Sequence, residues 1–262
     1  MMAWRSLAFG IITYGIAALT VAGSAQRGAP QHVVDLTQTL SPTFPVIPVP
    51  GLTFPFEQKT IATLQRNDVL AEEWHLIPHS GTHMDAPIHY VEGGRAMDGL
   101  NVRELIVAAA VIDIHERASK DRDTALRVED IRRWESRHGR LPERVAVLMY
   151  SGWDSKAVGD PTDFVGIDSA GATHFPTFSR EAVAFLIRER NIVGIGIDTL
   201  SFDQIGPEHS ARTHKTLLGA DKWGIECIAH LSDIPASGAT IYAGALRVVG
   251  ASASPIRLIA TW

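Results

Sequence analysis

Cysteine is almost absent from this sequence. Cys227 is the only one in 262 residues, which excludes an intrachain disulfide and cysteine-rich zinc sites among them. Any metal ligands must therefore come from His, Asp and Glu side chains. Cys227 directly follows Glu226 in the apolar segment "WGIECIAHL", and on a strand two neighbouring side chains point to opposite faces. We therefore interpret Cys227 as a buried structural residue and leave a thiol nucleophile as the less favoured alternative.

Positive charge is also scarce. The chain has 24 Lys and Arg against 29 Asp and Glu, a net charge of −5 with neutral His. This balance gives no basic surface for nucleic acid, so we expect no nucleic-acid partner. Hydrophobic residues make up 45% and charged residues 20%, which is ordinary for a globular protein with a substantial core.

Several catalytic motifs are missing as well. The sequence contains no G-x-S-x-G elbow, no G-x-x-x-x-G-K phosphate loop and no H-E-x-x-H helix. The segment "GIGIDT" lacks the third glycine of a dinucleotide fingerprint. Serine hydrolases, nucleotide triphosphatases, Rossmann dehydrogenases and zincins are therefore disfavoured.

Only one long uncharged apolar run is present, "SLAFGIITYGIAALTVAG", and it lies next to the N-terminus. Arg5 precedes this run, and small residues up to Ala25 follow it, which is the pattern of a secretory signal peptide. We predict that residues 1–25 are this signal and that residues 26–262 form an exported domain, periplasmic or secreted. An uncleaved anchor stays open, since the run is nearly long enough to span a bilayer. After cleavage we expect no stable membrane insertion.

The rest of the chain alternates between strand and helix patterns. Apolar runs predict strands at residues 72–78, 105–115, 144–152 and 192–198, and two or three more over residues 238–261. Two amphipathic patterns predict helices. These helices span residues 128–139, ending at Gly139, and residues 179–191, with Ser179 as N-cap. The sequence therefore predicts an α/β fold, a single domain around a mixed β-sheet with flanking helices.

The segment "HSGTHMDAPIH", residues 79–89, concentrates nitrogen and oxygen donors in a broken backbone. His83 and Asp85 lie two residues apart, so they project to the same side of an extended chain. Gly81 permits a tight turn that brings His79 to join them. Two imidazoles and a carboxylate suit Zn²⁺ or Mn²⁺. The alternative is a set of unrelated polar residues in a loop, but three of the chain's 11 histidines within this segment favour a metal site.

His89 lies beyond Pro87 and need not be a ligand. A neutral imidazole beside an activated water is what general base catalysis requires. We therefore predict that His89 is the catalytic base.

The same segment resembles the H-x-G-T-H-x-D-x-P-x-H motif of the metal-dependent cyclase-like hydrolases, the family of bacterial kynurenine formamidase and isatin hydrolase. The resemblance extends over most of residues 26–262. It includes an opening strand, a central segment and a late His-to-Glu segment, respectively "VVDLTQTLSPTFP", "GIDTLSFD" and "THKTLLGADKWGIECIAHL". It implies the swivelling β/α fold of that family.

The resemblance also implies a ligand set. It assigns one metal, zinc or manganese, to His79, His83 and Asp85. In dinuclear members a second metal would be bridged by Asp85 and held by His214 and Glu226, which lie twelve residues apart here. One or two divalent ions per subunit are therefore expected, with His89 as proton shuttle and a homodimer or homotetramer as the assembly.

Two aspartates in "DTLSFD" and one Pro-rich segment carry weaker predictions. Asp198 and Asp203 are predicted to orient ligand imidazoles from outside the ligand set, with a simple strand-end turn as the alternative. The segment "FPVIPVPGLTFPF", residues 44–56, together with Trp74, is predicted to line a pocket for a flat substrate, although ordinary packing explains it equally well.

The activity implied by the resemblance is hydrolysis of a C–N bond other than a peptide bond, in an arylformamide or a cyclic amide. Activated water attacks the carbonyl, and His89 carries the proton to the leaving nitrogen. Two alternatives stay open. One is a cyclase or dehydratase using the same groups, and the other is a non-catalytic exported metal-binding protein, which would have no need of His89.

Overall fold

The computed structural model describes residues 32–159, 161–204 and 211–262. The predicted signal, residues 1–25, lies outside this range. Within it the chain forms six α-helices: α1 Leu64–Asn67, α2 His115–Ala118, α3 Val128–His138, α4 Pro161–Val165, α5 Arg180–Arg190 and α6 Arg212–Leu218. Twelve strands are found in the same residues: β1 Val33–Asp35, β2 Glu57–Ala62, β3 Ala71–His75, β4 His83–Asp85, β5 Ile106–Asp113, β6 Ala125–Leu126, β7 Ala146–Tyr150, β8 Thr177–Phe178, β9 Gly194–Ile197, β10 Trp223–Glu226, β11 Thr240–Ala245 and β12 Ala253–Thr261.

The main sheet closes on itself into a barrel-like core. Its order is β1-β12-β11-β5-β7-β9-β10-β4, and β4 also pairs with β12, so seven strands form a ring. Strands β5, β7, β9 and β10 run parallel, and the remaining pairs are antiparallel. The predicted α/β domain around a mixed sheet is confirmed. The short strand β4 is the one that completes the ring.

Side chains of the parallel strands alternate between two apolar layers. Val111 and Leu148 belong to a cluster inside the barrel, whereas Ile112 and Val147 belong to a cluster shared with the helices. In that outer layer they join Leu186 of α5. Both faces of these strands are therefore covered, which explains why they read in the sequence as continuous apolar runs.

The two long helices begin and end close to where the sequence predicts. The hydroxyl of Ser179 accepts a hydrogen bond from the N–H of Ala182 and caps α5. Asn191 ends that helix at φ 50, and Gly139 ends α3 at φ 85, both in the left-handed region.

The strand predicted at residues 72–78 ends at His75 and does not join the main sheet. It forms β3, which pairs only with β2 among the described strands and makes a two-stranded hairpin. Strand β2 was not predicted, because five of its six residues are exposed and show no apolar alternation. Two strands, β11 and β12, end the chain. None of the described helices has the length and apolar character to cross a membrane.

Candidate metal centre

Strand β4 places His83 at the bottom of a cavity and Asp85 beside it, below the cavity surface. Asp85 lies opposite Gly224 of β10 on one side and Ala253 of β12 on the other. His83 and Asp85 share one face, and Met84 points the other way into the barrel core. Because both neighbouring strands hold β4, these two side chains are fixed, and both are almost completely buried.

His79 reaches the same place through a turn. Gly81 has φ +63, a left-handed conformation that favours glycine. The turn brings His79 Nδ1 within 2.9 Å of Asp85 Oδ1, while His83 Nε2 lies 3.5 Å from the same oxygen. Two ligand atoms bound to one ion roughly 2.1 Å away are roughly 3.0–3.4 Å apart, so these three residues have the spacing of a ligand set.

Unpartnered polar atoms support the same conclusion. His83 Nε2 and both carboxylate oxygens of Asp85 are buried and lack a hydrogen bond of good geometry. Leaving such an atom unsatisfied costs about 1–3 kcal/mol, and more if it is charged. A divalent cation would satisfy all three atoms at once, so the residues fit a metal.

His214 on α6 and Glu226 on β10 complete the predicted set of five. His214 Nε2 lies 3.5 Å from Asp85 Oδ2 and 3.1 Å from Glu226 Oε1. The other Glu226 oxygen lies 3.3 Å from His83 Nε2. The fold therefore brings together all five predicted ligands from three distant segments of the chain.

The structure differs from the predicted grouping at one point. Among the described residues, two groups of ligand atoms are compact, with all atoms of a group within 4.8 Å of one another. One group comprises His79, His83 and Asp85, and the other comprises Asp85, His89 and His214. Asp85 is common to both, as the bridging role requires. His89, and not Glu226, completes the second compact set. The assignment of His89 as base and not ligand therefore stays a prediction.

The buried imidazoles of the site interact strongly with its carboxylates. Burial lowers the pKa of His83, but the nearby carboxylates of Asp85 and Glu226 outweigh burial and raise the pKa to about 10. The pKa of His214 is raised well above its usual value against the same effect of burial, chiefly by Asp203 and Asp85. These imidazoles hold protons without a metal, so metal binding must release protons.

His89 has the opposite electrostatic character. It ends a short 3₁₀ helix, Pro87–His89, and its ring centroid lies 4.2 Å from that of His79. Burial lowers the pKa of His89 to about 4. The imidazole is therefore neutral at neutral pH, as a general base must be.

The two aspartates of "DTLSFD" have different partners. Asp203 Oδ2 accepts a hydrogen bond of 2.8 Å from His214 Nδ1, which leaves Nε2 of that ring free to face Asp85. Asp198 does not have the predicted role. Its described hydrogen bonds come from Ser151 and Trp153, because the end of β9 turns its carboxylate towards the end of β7.

The cavity above the metal ligands has a volume of about 410 Å³. Its polar floor includes His79, His83, His89, His214 and Glu226. Its wall is apolar and comes largely from the predicted Pro-rich segment: Phe44, Pro45, Val46, Ile47, Val49 and Leu52. Trp74 does not line it, since that side chain lies on the exposed hairpin against Phe56.

Several residues of the cavity wall were not predicted from the sequence, Tyr90 and Cys227 among them. Tyr90 lines the cavity next to His89, and its position directly after the motif was the available signal. Cys227 is buried, as predicted, but it also lines the cavity. Strand β10 ends at Glu226, and Cys227 adopts φ 57, so the alternation of a strand does not extend to it. Burial raises the pKa of its thiol well above the usual value, which makes it a poor nucleophile.

The chain matches the model of the putative cyclase family over residues 34–204. It belongs to this family. The chain is 31% identical to isatin hydrolase from Roseibium aggregatum over 259 residues, covering 93% of this chain and 96% of that protein. It is 30% identical to kynurenine formamidase from Sphingopyxis alaskensis, covering 69% of this chain and 75% of that protein.

Solved structures show the same relationship. Isatin hydrolase A from Ralstonia solanacearum superposes with a TM-score of 0.81 at 34% identity, covering 87% of this chain and 91% of that one. The family and fold predicted from the histidine motif are therefore confirmed.

Proposed function

We propose that this protein is a metal-dependent hydrolase that cleaves the C–N bond of a small cyclic amide or arylformamide. The single observation that carries this proposal is the set of unpartnered ligand atoms on His83, which lines the floor of an apolar cavity, and on Asp85, which is buried beside it. The relatives named isatin hydrolase and kynurenine formamidase supply the substrate class, one a ring amide and the other a formamide.

The residues divide the chemistry among them. His79, His83 and Asp85 would hold a zinc or manganese ion, which supplies polarisation of a carbonyl and lowers the pKa of water towards ~7. His89 is neutral, so it takes a proton from the attacking water and delivers it to the leaving nitrogen. The wall beginning at Phe44 contacts the aromatic part of the substrate and excludes bulk water.

A second ion would be held by Asp85, His214 and Glu226. Asp203 supports this group by orienting His214. Elemental analysis of protein loaded with zinc or manganese distinguishes one ion from two per subunit. Activity assays of the same preparations show which of the two metals gives the active enzyme.

A substrate panel tests the proposed activity. Metal-loaded protein is assayed with isatin and with N-formyl aromatic amines, and acid release is followed at constant pH. Hydrolysis of a neutral amide releases acid, whereas ring closure by a cyclase does not. Chelator-treated protein is the control. Metal-dependent acid release is expected, and its absence with every amide and formamide would contradict the proposal.

We also propose that the protein is exported and that residues 1–25 are removed. The support is the sequence pattern around Arg5 and Ala25. Cell fractionation and N-terminal sequencing of the protein expressed from its full sequence test this. A mature N-terminus at Gln26 outside the cytoplasm is expected, and an intact Met1 in the cytoplasmic fraction would contradict it.

A homo-oligomer is the proposed assembly, and the β2–β3 hairpin supports it. Ile61, Leu64, Leu70 and Trp74 are each more than half exposed on or next to this hairpin. An isolated two-stranded hairpin is marginal in water, so a second subunit would stabilise it. Light scattering should show a dimer or tetramer that Leu70→Glu weakens and that Val158→Glu, at an exposed residue outside the hairpin, does not. A monomeric wild-type protein would contradict this assembly.

A further inference from the structure

Three of the four imidazoles in the site are oriented by hydrogen bonds. His83 Nδ1 donates to a backbone carbonyl at 2.9 Å, and His214 Nδ1 donates to Asp203 at 2.8 Å. His79 Nε2 lies 3.4 Å from a serine hydroxyl. Partners of this kind fix the tautomer and the ring angle of a metal ligand.

In the part of the chain that the structure describes, the ring of His89 is held by contacts with other rings and not by hydrogen bonds. Among the described residues, no hydrogen bond reaches either ring nitrogen of His89. Other rings surround it: His79 with a centroid distance of 4.2 Å, Tyr90 at 4.5 Å and His214 at 5.9 Å. The angle of the His89 ring is therefore set by packing. Of these rings, Tyr90 is the only one without a predicted role in the site.

Tyr90 is itself firmly placed. Its N–H donates to the carbonyl of Pro87 and closes the 3₁₀ helix that carries His89. Its ring meets His89 edge-on, at 75°, and lies 5.0 Å from the ring of His214. The same side chain packs against the apolar layer between sheet and helices. Tyr90 therefore touches both the proposed base and a proposed ligand.

The position of His89 has a chemical consequence. One of its ring nitrogens belongs to a set with Asp85 and His214 in which all ligand atoms lie within 4.8 Å of one another. A further movement towards Asp85 and His214 would make this imidazole a ligand, and its bound nitrogen would no longer accept a proton. A base in this place needs a restraint on its ring.

We infer that Tyr90 is a positioning residue whose ring keeps His89 from closing on an ion held by Asp85 and His214, so that His89 retains a free nitrogen for proton transfer. The inference rests on the proposed function for the role of His89 as base. It concerns the aromatic ring of Tyr90 and not its hydroxyl.

The test compares Tyr90→Phe, which keeps the ring, with Tyr90→Leu, which removes it. Cobalt(II) serves as the metal probe, because its visible spectrum reports the ligands, and chelator competition gives its affinity. Tyr90→Phe should match wild type in spectrum, affinity and kcat. Tyr90→Leu should show an altered spectrum, cobalt bound about tenfold more tightly as His89 joins the ligands, and kcat lowered by about tenfold or more with little change in KM.

A double variant identifies the residue that moves. In Tyr90→Leu combined with His89→Ala, the tighter binding and the spectral change should disappear. A wild-type cobalt spectrum and affinity in Tyr90→Leu would overturn the inference, as would a loss in Tyr90→Phe equal to that in Tyr90→Leu. Tyr90→Met replaces Tyr90→Leu if circular dichroism shows misfolding. The cobalt measurements need no substrate, so they stand even if the proposed hydrolase activity fails.

Discussion

The two sides of the cavity are built in different ways. On the metal side, His83 and Asp85 lie on β4, which is hydrogen-bonded to strands on both sides. On the substrate side, residues 44–56 contain no strand or helix. The hydrogen bonds of the Thr53 hydroxyl go to backbone groups of Ile47 and Val49, which belong to the same segment. Groups that must stay fixed relative to one another are carried by the sheet, whereas contacts that select a substrate are carried by a connecting segment.

This difference predicts separable effects of substitution. Changes on the metal side should alter metal content and the chemical step together. Changes on the substrate side should alter KM and leave the metal in place.

The largest effect is expected from Asp85→Ala. This change removes the carboxylate shared by both compact donor sets, so the protein should lose bound metal, and kcat should fall by at least about 10⁴-fold. Elemental analysis and steady-state kinetics measure the two effects. Asp198→Asn is the matched control, since that aspartate is equally buried but bonds only to Ser151 and Trp153 among the described residues. Full metal content in Asp85→Ala would refute the site assignment.

His89→Ala should separate the base from the ligands. We expect kcat to fall by about 10²–10⁴, the usual contribution of a general base, while the metal stays bound. His115→Ala, at an exposed histidine outside the cavity, should behave as wild type. Loss of metal along with activity would place His89 among the ligands.

Acidification should weaken metal binding. Because the pKa of His83 is raised to about 10 in the metal-free site, binding must displace its proton at any lower pH. Affinity should therefore rise about tenfold per pH unit for each proton released, between about pH 6 and about pH 8. Chelator competition across this range measures the slope. A flat profile would show that the ligands are already unprotonated.

The smallest effect is expected on the substrate side, from Phe44→Ala. Removing this aromatic contact should raise KM about tenfold, since burial of such a ring contributes about 1.5–3 kcal/mol. Metal content and kcat should not change. Phe54→Ala in the same segment is the control, because Phe54 stacks on His75 away from the cavity. A fall in kcat or metal content in Phe44→Ala would show that the two sides are not separable.

The features that followed from the sequence are local ones. Ser179 marks the start of α5, and the spacing of His83 and Asp85 places both on one face of β4 because strand alternation needs no tertiary information. The fold prediction rested on the same kind of pattern.

The roles of Asp198 and Asp203 depended on tertiary structure. Both lie in "DTLSFD", yet one bonds to Ser151 and the other to His214. The order of strands in the barrel decides which partner each aspartate meets, and six residues of sequence do not contain that order. Strand β2 was missed for a related reason, since its pairing with β3 gives it no buried face.

The most direct test of the proposed metal site is anomalous diffraction at the zinc and manganese edges from crystals of the active, metal-loaded enzyme. A peak is expected about 2.0–2.3 Å from ligand atoms of His79, His83 and Asp85, with His89 unbound. Active crystals that lack a peak at these three residues, or that show His89 bound in the place of one of them, would contradict the proposed site.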